Sequence, residues 1–129
     1  MNLDGRIALV TGAGSGIGRA IARKLAAFGA TVIVTDLRGD AAEEVAADIV
    51  KDGGKARAHA MDICDGDAIA AVRDRLAAEN LLPDVLVNNA GWDILQPFIQ
   101  TTPDFWRKVV DINYLGPVTV SRAFLDPMI

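Results

Sequence analysis

Apolar positions along the chain follow two alternating periods. Between Arg6 and Thr11 the run Ile7-Ala8-Leu9-Val10 is apolar on consecutive rather than alternate residues, the pattern of a strand covered on both faces, as parallel strands are. From Ile17 the period lengthens. Ile17, Ile21, Leu25 and Phe28 recur at helical spacing, and Gly29 ends the pattern as a C-terminal cap. Thr31-Val32-Ile33-Val34-Thr35 is β-branched throughout and reads as a second strand ending at Asp36, after which Leu37-Arg38-Gly39 turns the chain. Asp40 is placed to cap a second helix, with Val45 and Ile49 one turn apart and Gly53-Gly54 as its stop. A third strand over Ala56 to Met61 is less apolar and carries Arg57 and His59, as an edge strand would.

Asp65 or Asp67 can cap a third helix whose inner stripe is Ile69, Val72 and Leu76. Pro83 separates it from a fourth strand, Val85-Leu86-Val87, which runs into Asn88-Asn89-Ala90-Gly91. A last helix starts with Thr102 as its cap and Pro103 in its first turn, where a missing N–H costs nothing, and continues through Phe105, Val109 and Ile112. Four strands alternating with helices predict an α/β fold in which residues 1–129 form one domain, with a parallel sheet in the order 3-2-1-4. This is half of a doubly wound sheet. Its ligand site is expected beyond the carboxyl ends of the strands, beside strand one.

The stretch Thr11-Gly12-Ala13-Gly14-Ser15-Gly16-Ile17-Gly18 occupies that position, between the first strand and the first helix. It is T-G-x-x-x-G-x-G, with a wider first loop than the common G-x-G-x-x-G. Glycine lets the chain turn tightly and lets a ligand approach the backbone. The first turn of the helix adds unpaired N–H groups and the positive end of its dipole, so an anion such as a pyrophosphate belongs there. A purely structural turn is the alternative. The strand, the helix and the later Asp36 all fall where a nucleotide site needs them.

Composition narrows the partners. About half the residues are hydrophobic (51%) and a quarter charged (23%), without low-complexity segments, as in a soluble globular chain. A net charge of -4 offers no basic stripe for nucleic acid, so a phosphate site must be built from backbone N–H groups. Cys64 has no partner for an internal disulfide, and Asp62, Asp65 and Asp67 around it would raise its thiol pKa. No metal site is expected. No apolar run approaches the ~20 residues of a membrane span, and Met1 to Gly5 has no signal-peptide character, so the expected location is the cytoplasm.

Together, T-G-x-x-x-G-I-G, an acid ending strand two, Asp62 after strand three and N-N-A-G after strand four resemble the short-chain dehydrogenases/reductases, over the whole chain. The resemblance implies a Rossmann-type fold and hydride transfer between nicotinamide and a secondary alcohol or ketone. It places Gly12, Ser15, Gly16, Ile17 and Gly18 around the pyrophosphate, with the Ser15 hydroxyl on a phosphate and Ile17 giving its N–H while its side chain packs inward. Asp36, with Leu37 beside it, meets the adenosine ribose. An ionised carboxylate there can accept from both ribose hydroxyls but repels a 2′-phosphate, which favours NAD over NADP. Arg38 is the one nearby cation and reads as a solvated turn residue.

In the same comparison Asp62 and Ile63 contact the adenine, Asn89, Ala90 and Gly91 lie along the ribose and nicotinamide, and Asn88 ties strands together. Asn113 falls at the asparagine of the family's Asn-Ser-Tyr-Lys catalytic set. Pro117 supports that role, because it lacks the N–H that would bond the Asn113 carbonyl, leaving it to hold a water and kink the helix.

The departure from the family is the missing remainder of that set. Members are roughly twice this long, with the serine and the Tyr-x-x-x-Lys motif beyond the position of residue 129. The only tyrosine is Tyr114, four residues before Val118, and Ser121 and Lys108 read as surface or packing residues. The expectation is therefore an amino-terminal half, inactive by itself, of an oxidoreductase that assembles as a homo-tetramer or dimer through the last helix. The alternative is a non-catalytic dinucleotide-binding or scaffold module. Trp92-Asp93-Ile94-Leu95 is weakly similar to 2-hydroxycyclohexanecarboxyl-CoA dehydrogenase-like members, with Trp92 lining an apolar pocket or simply packing.

Overall fold

The computed structural model describes residues 1–129. Four strands, β1 (Ile7–Val10), β2 (Thr31–Asp36), β3 (Lys55–Ala60) and β4 (Val85–Val87), form one parallel sheet in the order β3-β2-β1-β4. β1 is central, with Ala8 paired to Val32 on one side and to Val85 on the other. The three intervening helices are α1 (Gly16–Ala27), α2 (Gly39–Lys51) and α3 (Gly66–Ala78). β3 is an edge, as its polar residues predict.

Consecutive apolar residues in β1 serve two cores, because successive side chains of a strand leave on opposite faces. Ala8 and Val10 pack with Val32, Val34, Ala22, Ala26, Val45 and Ile49 under α1 and α2. Leu9 and Ile33 pack on the other face with Ile69, Val72, Leu76, Val120 and Phe124. The first face is rich in alanine, which brings the two helices close to the sheet.

Of the caps expected from the sequence, one is resolved between its two candidates and one differs. Asp65 rather than Asp67 caps α3, its carboxylate accepting from the N–H groups of Asp67 and Ala68. Asp40 does not cap α2: the extended cap residue is Arg38 (φ -92°, ψ 102°), and Asp40 lies inside the first turn. There its charge still complements the helix dipole. The Ala41 N–H and then the Arg38 guanidinium hold its carboxyl below the usual range.

The last helix is not continuous. α4 (Pro103–Val110), capped by the Thr102 hydroxyl, passes into a π-helical turn at Asp111–Leu115, and α5 (Gly116–Leu125) continues from it. The Gly116 N–H reaches back five residues to the Asp111 carbonyl. Pro117 supplies the cause: with no N–H for the α-helical bond to Asn113, the chain widens by one residue just before it.

Asn88 does not tie strands together. Its side-chain amide donates to the Ser121 hydroxyl at 3.0 Å and so links the end of β4 to α5. The strand start is tied instead by Asp84, whose carboxylate accepts from the Ile7 N–H at 2.9 Å and from Arg6 at 3.2 Å. No helix is long and apolar enough to cross a membrane.

Candidate functional site

The carboxyl ends of β1, β2 and β4 are bound to one another through one side chain from each: Thr11, Asp36 and Asn89. Buried Thr11 accepts at its hydroxyl from the N–H groups of Asn89 and Ala90, both at 3.0 Å. Asn89 returns the link, its side-chain amide donating to the carbonyls of Thr11 at 3.1 Å and Gly12 at 3.2 Å. On the other side the Gly14 N–H donates to Asp36 Oδ2 at 2.9 Å, while Asp36 Oδ1 accepts from the Arg38 N–H at 3.0 Å. The carboxylate is thus fixed at the end of β2 before any ligand arrives.

Two glycines are required for different reasons. Gly12 has φ +62°, and a Cβ there would lie 2.8 Å from the Ala90 Cα. At Gly18 a Cβ would run into the Gly12 carbonyl and the Asn89 amide. The turn is closed against β4 by glycine and opens outward only along its upper rim, where Ser15 and Gly16 are exposed. Ser15 occupies the cap position of α1 without making a side-chain cap bond, so its hydroxyl is available to a ligand.

Above this turn lies a cleft of about 550 Å³, within the size range of small-molecule sites. Its lining contains Gly12, Ser15, Gly16, Ile17 and Gly18 of the turn, Asp36 and Leu37 after β2, Asp62 and Ile63 after β3, and Asn89, Ala90 and Gly91 after β4. The candidate cofactor residues of four separated segments therefore share one cavity. Met61, Trp92, Lys108 and Ile112 complete it. The sequence contained no signal for Lys108, because only the placement of α4 over the strand ends brings that wall into position; Met61 directly follows β3 and enters the lining beside Asp62.

Ile17 departs from its expected orientation. Its side chain is 76% exposed and faces the cleft rather than the core. The inner face of α1 is carried by Gly18, Ala22 and Ala26, which leaves the Ile17 side chain as an apolar rim.

Asn113 is not among the lining residues. Its Oδ1 accepts from the Trp92 N–H at 2.9 Å and its Nδ2 donates to the Trp92 carbonyl at 2.6 Å, clamping the segment after Gly91. The Trp92 indole is half-buried, 5.7 Å from the Phe105 ring, with the Lys108 ammonium 4.0 Å from its centroid. Trp92 both packs and lines the cleft. Lys108, read from the sequence as a surface or packing residue, is exposed and packs on Trp92, and in addition it lines the cleft.

Cys64 is exposed and unpaired. Its thiol is pushed up by partial burial and by the negative charges of Asp62 and Asp111. Asp65 and Asp67, expected to act with Asp62, are replaced in that role by Asp111, which α4 and the π-turn bring across. Arg38 is exposed and paired with Asp40 at 3.3 Å, consistent with a solvated turn residue.

Residues 6–129 match the family model described as short chain dehydrogenase. The chain belongs to the short-chain dehydrogenase family. Among curated relatives, D-threitol dehydrogenase of Mycolicibacterium smegmatis is 40% identical over 121 residues, covering 94% of this chain and 46% of that protein. The crystal structure of a metagenomic short-chain oxidoreductase in complex with NADP is 41% identical with a TM-score of 0.90, over 98% of this chain and 57% of that one. A structure from Haemophilus influenza with bound NAD is 27% identical, TM-score 0.90, over 98% and 51%. The chain spans from about a fifth to about half the length of the curated relatives it matches. As a short-chain dehydrogenase, its four-stranded sheet is the Rossmann-type half fold expected from the motifs.

Proposed function

We propose that residues 1–129 form the dinucleotide-binding portion of a short-chain dehydrogenase/reductase that uses NAD to interconvert a secondary alcohol and a ketone. The observation that carries this reading is the single cleft lined by the glycine turn, Asp36, Asp62 and the Asn89-Ala90-Gly91 segment. Its residues fit a dinucleotide on their own chemistry. The first turn of α1 offers backbone N–H groups and a positive dipole end to the pyrophosphate, with the free Ser15 hydroxyl beside them. The absence of Cβ at Gly12 and Gly18 lets the turn sit against β4.

Asp36 meets the adenosine ribose, with one oxygen already engaged by Gly14 and the other by Arg38. Its negative charge would repel a 2′-phosphate, and Arg38 is engaged with Asp40; both favour NAD over NADP. Structural neighbours with each cofactor exist, so the preference rests on these residues alone. Asp62 and Ile63 border the adenine, while Ala90 and Gly91 border the nicotinamide ribose. When bound, nicotinamide supplies or accepts the hydride.

Asn113 contributes by holding Trp92 and by its place in the π-turn, where its carbonyl has no proline N–H to bond. The tyrosine and lysine that would move the alcohol proton have no counterpart here, since Tyr114 is followed four residues later by Val118. The 129-residue chain is therefore expected to bind nucleotide without turning over alcohol, in a cytoplasmic enzyme that assembles through α4 and α5. Relatives named as dehydrogenases weigh against a purely non-catalytic module.

The test is a calorimetric titration of the chain with NADH and NADPH. Saturable binding with NADH the tighter ligand supports the reading; tighter NADPH binding would reverse the cofactor assignment, and no binding of either would remove the site.

A further inference from the structure

We propose that Lys108 is a phosphate-binding residue of this cleft, its ammonium seated on the Trp92 ring to take a phosphoryl oxygen of the bound nucleotide. The inference rests on the reading of the cleft as a dinucleotide site and adds to it a contact from the α4 wall.

Charge balance is the first argument. Lys108 is the only lysine or arginine lining the cleft, which also contains Asp36 and Asp62. A dinucleotide brings further negative charge to a cavity already facing two carboxylates. Backbone N–H groups answer that charge on the α1 side. On the α4 side the only cation that lines this cleft is Lys108.

The ammonium is also uncommitted. Arg107, the preceding residue, is paired with Asp104 at 3.2 Å, whereas Lys108 has no carboxylate within ion-pair distance and no hydrogen-bond partner in the chain. Its position is set by the Trp92 face, 4.0 Å away, an arrangement that orders the side chain without neutralising it. The ring is itself held, by Phe105 at one side and through its backbone by Asn113. A long side chain would otherwise have to be ordered when the ligand binds.

The surroundings explain why a cation is needed there. Lys108 also lines an adjoining cleft of about 490 Å³, shared with Leu37, Asp62 and Ile112, where Asp104, Arg107, Asp111 and Cys64 are the other polar groups. Three carboxylates against two cations leave this region negative. The raised Cys64 thiol reports the same field, with Asp62 and Asp111 contributing after burial. Removing the ammonium would leave Asp36 and Asp62 as the only charged side chains lining the main cleft.

The experiment compares the full chain with its Lys108→Gln and Lys108→Arg variants, titrated with adenosine, ADP and NADH at low and high salt. Lys108 is exposed on α4, so folding is checked by circular dichroism and is expected to be unchanged. The Gln variant should bind ADP and NADH about three- to tenfold more weakly, with adenosine unaffected and the Arg variant near wild type. The loss should shrink at high salt. Equal weakening of adenosine and ADP would assign Lys108 to packing on Trp92, and unchanged ADP affinity in the Gln variant would likewise overturn the inference while leaving the site intact. Failure of the wild-type chain to bind ADP or NADH would overturn the site reading and this inference with it.

Discussion

Both polar groups of the Asn113 side chain are bonded to the backbone of Trp92, the N–H at 2.9 Å and the carbonyl at 2.6 Å. A residue from the π-turn thereby fixes the chain just after Gly91, where Trp92 lines the cleft. The clamp explains how one asparagine links the Asn89-Ala90-Gly91 segment to the helix above it.

Asn113→Ala should destabilise the chain by about 1 kcal/mol, since two hydrogen bonds are lost but both partners can reach water. Asn113→Asp should be worse, because a carboxylate would face the Trp92 carbonyl that the amide now donates to. Urea unfolding checks the order; an Asp variant as stable as wild type would contradict the clamp.

The turn separates conformational strain from crowding. Gly16 has φ +55° with open space around its missing Cβ, so Gly16→Val should cost about 1–2 kcal/mol of backbone strain while placing a branched side chain in the proposed pyrophosphate site. It should abolish NADH binding in a chain that still folds. Gly18→Ala should instead lower the thermal midpoint further, through contact with the Gly12 carbonyl and the Asn89 amide. Unaltered NADH affinity in the Val variant would mean that the turn is merely structural.

Asp36 serves both the fold and the expected ligand. Asp36→Ser should weaken NADH binding about tenfold through loss of charge-assisted hydrogen bonds to the ribose, and should narrow or invert the preference over NADPH. Paired fluorescence titrations measure the ratio. A ratio unchanged by the substitution would place cofactor choice elsewhere.

His59, half-buried on β3, has its pKa lowered by burial and then by the Arg75 charge, with Glu79 opposing. Its folded pKa lies below its unfolded value of about 6.5. Below that pH the unfolded chain therefore binds more protons, and stability contributed by neutral His59 is present above it and lost as pH falls. Urea midpoints from pH 7.5 to pH 5 should decline, and His59→Gln should reduce that decline. An identical slope in the variant would assign the acid sensitivity to the carboxylates.

Much of the fold was legible because burial on two faces leaves a local signature. Ile7 to Val10 and Thr31 to Thr35 show it as unbroken apolar or β-branched runs, and the polar Arg57 and His59 mark β3 as the edge. Glycine requirements are similarly local: a tight turn into a helix needs its small residues at fixed places along the chain. Thus the glycine turn and the acid that ends β2 could be picked out from their place between strand and helix, Asp62 and Asn89 only through the family resemblance, and Pro117 foretold a break near Asn113 because a missing N–H acts within one turn.

Tertiary structure decided whatever depends on which element lies across from which. Ile17 faces the cleft because smaller residues of α1 occupy the core contact. Asn88 bonds Ser121 of α5, not a strand. Lys108 becomes a wall of the site, and Asp111 a neighbour of Cys64, only after α4 and the π-turn are laid over the strand ends. Local periodicity records whether a side chain meets protein or water; it carries no record of the distant residue that it meets.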